Sequence, residues 1–334
     1  VTGERLDDLP LEVQGTLLTE IAVRAVVRFD LGDQAQVSLH RLGENAVFLV
    51  EAGPGGPRFA LRVHRPDYRS DTEIGSELAW LEALQSAGRI APAPVAGSDG
   101  EYVQIVDGGN AVGPRQCDLL TWIDGPPLRR VDPQLAIPAL GTTMALLHQH
   151  ARSWLPPPWF KRPVLDERGL LGSAAVIGDY RSIVLDSADR ALFDRATELI
   201  LDHLVELPKT PDCFGLIHSD FLDNNLLYSG ESAAIVDFDD ASLGWYAYDL
   251  GTVRCMGKAL TDEPGWLELF RSGYAEVAVL PQDAVTLLPV FLAVRALAMV
   301  GWLAGHGVRA AKYRQMIIDD AVHRCASLLA DSAA

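Results

Sequence analysis

The chain is expected to fold as an α+β protein in two lobes, a small antiparallel β-rich lobe followed by a larger, mainly helical one. Three observations lead there. At 334 residues it can bury a large core and exceeds what one core usually organises. Its apolar spacing changes from short alternating runs to helical stripes. Between the two textures, Ile123-Asp124-Gly125-Pro126-Pro127 breaks both patterns. The expected boundaries are residues 1–122 for the first lobe, 123–127 for a hinge and 128–334 for the second lobe, with a ligand cleft where the lobes meet.

Residues 11–29 carry helical apolar spacing. Strand-like runs follow at 37–42, 46–51 and 58–64, separated by Gly43-Glu44-Asn45 and Gly53-Pro54-Gly55-Gly56-Pro57, which predicts an antiparallel meander. A helix is expected over 71–87: acids follow Asp71, Ile74, Leu78, Leu81 and Leu84 form a stripe, and Gly88 ends it. Two further strands fit 102–106 and 115–122. Beyond the hinge, helical periodicity marks 133–153, 188–206, 246–259, 265–277, 284–304 and 309–329.

Composition is that of a globular protein, 49% hydrophobic and 22% charged. Acidic residues outnumber basic ones 45 to 28, for a net charge of −17, which repels polyanions and argues against a nucleic-acid partner. Cys117, Cys213, Cys255 and Cys325 lie far apart without metal spacing and are expected to be buried thiols in a reducing compartment. Residues 1–20 lack the continuous apolar stretch of a secretory segment. The apolar run 287–303 contains Pro289 and Arg295, as a core helix does more readily than a membrane span. A cytoplasmic protein with no membrane partner is expected.

Near the middle runs Ile217-His218-Ser219-Asp220-Phe221-Leu222-Asp223-Asn224-Asn225, and Ile235-Val236-Asp237-Phe238-Asp239-Asp240 follows. An Asp can accept or align the proton of an acceptor hydroxyl, while Asn and a second Asp hold Mg²⁺ through hard oxygen ligands. Asp and Asn also favour turns for local reasons, and His-x-Asp alone is more often a turn than a site. The flanking apolar runs change that weighting. Residues 214–217 precede the loop, 226–228 follow it, and 233–236 lead into Asp237 after a turn at 229–232. Carboxylates at the ends of buried strands are placed for chemistry, and a phosphotransferase is expected.

These residues resemble the aminoglycoside phosphotransferase and choline kinase superfamily, which shares the protein-kinase-like fold. Within it the chain is most similar to the bacterial branch of stress-response kinases and homoserine-kinase-like proteins. The likeness covers nearly the whole chain. Besides the aspartate motifs it includes Trp245-Tyr246-Ala247-Tyr248-Asp249-Leu250, Leu61-Arg62-Val63-His64-Arg65-Pro66 and the segment from Leu146 to Trp154. It implies that Asp220 is the catalytic aspartate and that Asn225 and Asp237 coordinate Mg²⁺. It also implies that His218 braces the loop and that Asp249 supports it. Arg62 would contact nucleotide phosphate where many kinases use Lys, a plausible but unequal exchange. Glu77 would hold Arg62, its plain alternative being a solvated helix acid, and Arg65 is a competing, outward-facing cation. Gly43 is all that stands for a glycine-rich loop, and it either covers phosphates through backbone N–H groups or makes a hairpin turn. Thr121 and Ile123 match positions whose backbone groups bond adenine. Ser219 and Leu222 depart from the residues common in relatives, Leu222 standing where a His often does.

The implied activity is Mg²⁺-dependent transfer of the terminal phosphate of ATP or GTP to a hydroxyl of a small, cationic molecule. The alternatives are a Ser/Thr protein kinase of the stress-response type and a catalytically weak nucleotide-binding module, which the complete set Asp220, Asn225 and Asp237 argues against. A metal-dependent hydrolase would leave Arg62 and Glu77 unexplained. Between Asp237 and Asp249 only Ser242 is a Ser or Thr, so no long phosphorylation-switched loop fits there. That favours a constitutively competent enzyme and leaves a protein substrate open. Trp154, Trp159, Phe160, Trp245 and Tyr246, with Asp166, Glu167, Asp223 and Asp239, would enclose a cationic acceptor, or serve as core and solvated surface.

Overall fold

The computed structural model describes residues 6, 9–88, 91–109, 112–172, 174–222, 224–230, 232–256, 260, 262–306 and 310–332. The chain divides into two compact units, Val1–Asp124 with Leu155–Lys161, and Gly125–Trp154 with Arg162–Ala334.

The first unit opens with α1 (Leu11–Val26), which buries Leu18, Ile21, Ala22 and Ala25. Strands β1 (Ala35–Leu42), β2 (Ala46–Ala52) and β3 (Arg58–Val63) form the expected meander and lead into α2 (Asp71–Ser86). Ser70 starts α2 with a capping box: Glu73 N–H donates to Ser70 Oγ at 3.3 Å, and Ser70 N–H donates to the Glu73 carboxylate at 2.9 Å. β4 (Pro94–Val95), β5 (Gln104–Asp107) and β6 (Pro114–Thr121) complete an antiparallel sheet in the order β1-β2-β3-β6-β4, with β5 also on β6. β4 escaped the sequence reading because two residues show no alternation. Phe48, Val50, Leu61, Val63 and Leu119 share one core with Leu18, Ile21 and Phe29. Leu155–Lys161, counted above with the second lobe, belongs to this unit. Lys161 N–H donates to Ser76 Oγ at 2.8 Å, and the Trp159 ring lies beside Gly75.

In the second unit, α3 (Pro133–Ser153) is N-capped by Asp132 and crosses the helix Trp266–Ala275 at a pair of glycines. A Cβ on Gly141 would lie 2.2 Å from the Phe270 carbonyl oxygen, and one on Gly273 1.9 Å from that of Pro138, so any larger residue would separate the helices. Then follow β7 (Val164–Leu165), α4 (Glu167–Leu170), α5 (Ser187–Glu206), β8 (Phe214–Ile217), β9 (Leu226–Tyr228), β10 (Ala233–Ile235), β11 (Ser242–Trp245) and α6 (Tyr246–Met256). β7, β11 and β8 form one small sheet, and β9 and β10 a hairpin. β7 was not legible as a strand for want of length, and β11 because Ser242 and Gly244 interrupt any apolar run. Gly125 to Pro127, read as hinge, is tied to β9. Tyr228 N–H donates to the Pro126 carbonyl, and Pro127 bridges Leu227.

The helix expected over 284–304 is two helices, Gln282–Thr286 and Leu288–Trp302, the second with Pro289 in its first turn, where a missing N–H costs nothing. By length and composition Leu288–Gly305 would pass for a membrane span. Phe291, Val294 and Leu297 instead share the unit's main core with residues of α5 and the final helix, Arg314–Ser332. Residues 257–259 and 309, parts of two expected helices, lie outside the described residues. Cys117 and Cys325 are buried, and burial pushes both thiols up to about 12, whereas Cys213 is only partly covered. The side chain of Cys255 is outside the described residues.

Candidate active site

In the second unit β8 runs directly into His218, and β11 returns antiparallel beside it with Ser242 opposite Ile217. The β9–β10 hairpin joins the rest of the motif, pairing Leu226 with Ile235, and Val236 N–H donates to the Asn225 carbonyl at 2.9 Å. Asn225 and the residue before Asp237, separated in sequence, are thereby backbone neighbours. Ser219 and Asp237 both take left-handed backbone conformations (φ 61° and 68°), which cost a non-glycine residue on the order of 1–3 kcal/mol and persist where the surroundings enforce them.

The enforcing contacts are on the loop. Asp249, at the start of α6, accepts the N–H of His218 at 3.1 Å and of Ser219 at 2.7 Å, and the ring of His148 from α3 at 3.0 Å. The buried His218 uses both ring nitrogens: Nδ1 accepts Asp220 N–H at 3.3 Å, and Nε2–H donates to the Val236 carbonyl at 3.2 Å. That pattern fits the neutral imidazole, and burial, opposed by Asp249 and Asp220, pulls its pKa down. His218 thus ties the catalytic-type loop to the strand leading into Asp237.

Asp220 is 17% exposed. Its Oδ1 accepts from Arg295 Nη2 at 2.6 Å and its Oδ2 from Asn225 Nδ2 at 2.9 Å. Burial raises its pKa, with Asp240 adding to the effect and Arg295 and His218 opposing it. Asn225 donates a second time, to the Asp220 carbonyl at 3.1 Å. Arg162, buried, braces the turn after Asp237. Its Nε donates to the Ala241 carbonyl at 2.6 Å, and Nη2 to the carbonyls of Phe238 and Asp239. Leu222 N–H closes the loop onto the Asp220 carbonyl at 2.7 Å. Asp223 lies outside the described residues.

In the first unit, Arg62 on β3 stands opposite Asp118 on β6. It binds that carboxylate through two nitrogens, Nε at 2.8 Å and Nη2 at 2.7 Å, and Glu77 of α2 through Nη1 at 2.5 Å. His64 Nε2 donates to Asp118 as well, at 2.8 Å. Burial opposes the Arg62 charge, yet Asp118 and Glu77 outweigh it and hold its pKa well above the ordinary value. Burial likewise opposes the Asp118 charge, and Arg62 and His64 overcome it, keeping that carboxyl well below the usual range. Arg65 pairs with Glu44 at 3.0 Å, and its N–H donates to Asn45 Oδ1, fastening the end of β3 to the β1–β2 turn. Gly43 N–H is donated to the Asn45 carbonyl within that turn, and a side chain at Gly43 would meet only ordinary contacts. Thr121 N–H donates to the Ala93 carbonyl, while the Thr121 hydroxyl, not its carbonyl, takes the Ala93 N–H. Ile123 follows β6 just before the end of the unit.

Asp118, Arg162 and Arg295 were not assigned to the site from sequence. Asp118 had a signal, a carboxylate beside the apolar pair Leu119-Leu120 in a strand, and so did Arg295, the one charge in an apolar helix. The aromatic and acidic residues named for an acceptor enclosure are divided between the two units, and Asp223 lies outside the described residues. Trp245 and Tyr246 are core, with Arg152 over the Tyr246 face at 4.7 Å, and Trp159 and Phe160 belong to the first unit. Asp166 caps α4 and, with Glu167, pairs with Lys209.

A divalent cation fits the donor set of the second unit. The Asn225 amide nitrogen donates to Asp220, its Oδ1, a hard oxygen, accepts a long 3.3 Å bond from Asn224 Nδ2, and Asp237 carries a carboxylate. Among the described residues no group of three or more His, Cys, Asp or Glu closes around a metal. Two protein oxygens completed by phosphates and water is the usual composition of a Mg²⁺–nucleotide site.

A family model described as the phosphotransferase enzyme family matches residues 38–281. The chain belongs to this family. The structure of a microcompartment-associated aminopropanol kinase is similar at 31% identity and a TM-score of 0.79, covering 92% of this chain and 95% of the other. An amicoumacin kinase in complex with AMP-PNP, Ca²⁺ and Ami shares the fold at 20% identity and a TM-score of 0.74, over 90% of this chain and 93% of that one. A homoserine kinase of Gluconobacter oxydans is 26% identical over 290 residues, 81% of this chain and 84% of its own length. This phosphotransferase is therefore a small-molecule kinase with a hydroxyl group as acceptor, on the protein-kinase-like fold that the sequence implied.

Proposed function

We propose that this enzyme moves the terminal phosphate of ATP, with Mg²⁺, to the hydroxyl of a small cationic alcohol, and that Asp220 is the residue facing that hydroxyl. The observation that carries the reading is the Asp220–Asn225 pair on a loop whose backbone is fixed by Asp249 and His218, with Asp237 directly after the strand bonded to Asn225. In the reaction the alcohol oxygen bonds to the terminal phosphorus, the bond from phosphorus to the bridging oxygen of ADP breaks, and the hydroxyl proton leaves towards Asp220. Asn225 Oδ1 and the Asp237 carboxylate are the ligands for Mg²⁺, which when bound offsets phosphate charge. In the first unit Arg62, held by Glu77 and Asp118, supplies fixed positive charge for the nucleotide phosphates, with two of its five N–H groups outside the bonds given above. The Thr121 and Ile123 backbone is the candidate for adenine recognition. The Gly43 turn, whose Gly43 N–H is bonded to the Asn45 carbonyl, is the candidate phosphate-covering loop.

A cationic acceptor is supported by the net charge of −17 and by the likeness to an aminopropanol kinase. The test is a transfer screen with aminopropanol, other amino alcohols, homoserine, aminoglycosides, neutral sugars and a generic protein acceptor, each with ATP and GTP. Turnover concentrated in the amino alcohols is the expected result. Site-selective protein phosphorylation without small-molecule turnover would move the assignment to a protein kinase, and a cytoplasmic setting is proposed in either case.

A further inference from the structure

The helix Leu288–Trp302 has a single charged residue, Arg295, and apart from Pro289 every residue from Leu288 to Gly301 is buried. A guanidinium taken out of water costs several kcal/mol unless it is paired and hydrogen-bonded. Arg295, with a side chain 5% exposed, finds its pairing in the aspartate motif: Nη2 donates to Asp220 Oδ1 at 2.6 Å. Its other contacts on this side are long, 3.4 Å from Nη1 to the Ser219 carbonyl and 3.5 Å to the Tyr248 hydroxyl. The opposite carboxylate oxygen of Asp220 is taken by Asn225. Two donors from separate elements therefore fix the rotation of one carboxylate. Arg162, by comparison, donates to the backbone carbonyls of Phe238, Asp239 and Ala241. The shortest of these Arg295 bonds goes to the side chain that meets the acceptor.

We infer that Arg295 is a positioning residue for phosphoryl transfer, holding the Asp220 carboxylate in the orientation that receives the acceptor hydroxyl. The inference rests on the reading of Asp220 given above. Neither aminopropanol binding by other residues nor Mg²⁺–ATP binding depends on it.

The test is steady-state turnover of Mg²⁺–ATP by the full chain, with aminopropanol and separately with water as acceptor, beside nucleotide affinity by calorimetry and thermal unfolding. Arg295→Met is expected to lower kcat by about 30-fold or more, since small misplacements of a reacting group cost up to about 100-fold, with acceptor KM and nucleotide Kd within about threefold. Arg295→Lys should recover part of kcat, because a point charge replaces a fork. In an Asp220→Asn background Arg295→Met should change the residual rate by less than about twofold, as residues acting through one another do. Unchanged kcat in folded Arg295→Met would overturn the inference, and so would a full additional loss in the Asp220→Asn background. Should Arg295→Met not fold, Arg295→Lys decides alone, and parental kcat in that variant counts against the proposal. The two readings fail separately. An active Asp220→Asn protein removes the role of Asp220 itself, whereas an inactive one beside a fully active Arg295→Met removes only the role of Arg295.

Discussion

Arg62 and Arg295 are both buried arginines paired with carboxylates, and they differ in what their partners are free to do. Arg62 lies on a strand, bound by Asp118 on the neighbouring strand and Glu77 on a helix, so every member is locked into regular structure. Two acids share one guanidinium there, and Glu77 Oε2 is buried without a hydrogen-bond partner among the described residues. Arg295 donates to the Asp220 carboxylate, which sits on a loop between strands with its other oxygen held by a side-chain amide. The first arrangement holds a charge still; the second, on the role proposed for Asp220, aims a reactive group. Breaking the first should therefore show mainly in stability and nucleotide affinity, and breaking the second in turnover.

A large effect on nucleotide binding is expected beside the second arrangement. Asp237→Ala removes a proposed metal ligand and should weaken Mg²⁺-dependent ATP binding by about 100-fold or more, read by calorimetry with and without the cation. Unchanged affinity would remove Asp237 from the metal site. Next is Asp118→Ala. Breaking a buried ion pair by removing one partner costs about 3–5 kcal/mol, so the urea midpoint should fall steeply with the slope unchanged. Because the folded Asp118 pKa lies below the unfolded value of 3.8, its stabilisation is complete above that value and declines as the pH falls below it. The gap between parent and variant should then close in acid; a gap that widens there would contradict the pairing. The smallest effect is that of Arg62→Ala in folded protein, a loss of nucleotide affinity of about tenfold, or about 1.4 kcal/mol, with Arg62→Lys recovering part. Parental affinity would pass the role to Arg65, whose ion pair with Glu44 ties it to the β1–β2 turn.

Residues close together in sequence, or on long periodic elements, were legible. The loop from His218 to Asn225, Asp237 after its strand, the meander holding Arg62 and the helix holding Glu77 all follow from local pattern. Partners that meet only through tertiary packing were not. Asp118 reaches Arg62 through strand register, a one-residue choice that alternation alone leaves open. Arg295 lies on a distant helix whose rotation no local signal fixes, and Arg162 acts through backbone carbonyls that have no sequence identity. β4 and β7 were too short to show a period, and in β11 Ser242 and Gly244 break the apolar run by which β8 to β10 were read. The aromatic enclosure was a compositional idea, and composition carries no signal that Trp245 and Tyr246 are buried in the second unit's core.

The central claim is that Asp220 acts on the acceptor and leaves nucleotide binding to other residues. The most direct measurement takes one preparation of Asp220→Asn protein through both Mg²⁺–ATP calorimetry and transfer of labelled terminal phosphate to aminopropanol. The expected result is nucleotide affinity within about threefold of the parent with transfer reduced by about 1,000-fold or more, the range for loss of a positioned base together with its orientation. Loss of nucleotide binding in a folded Asp220→Asn protein, or transfer at the parental rate, would contradict it.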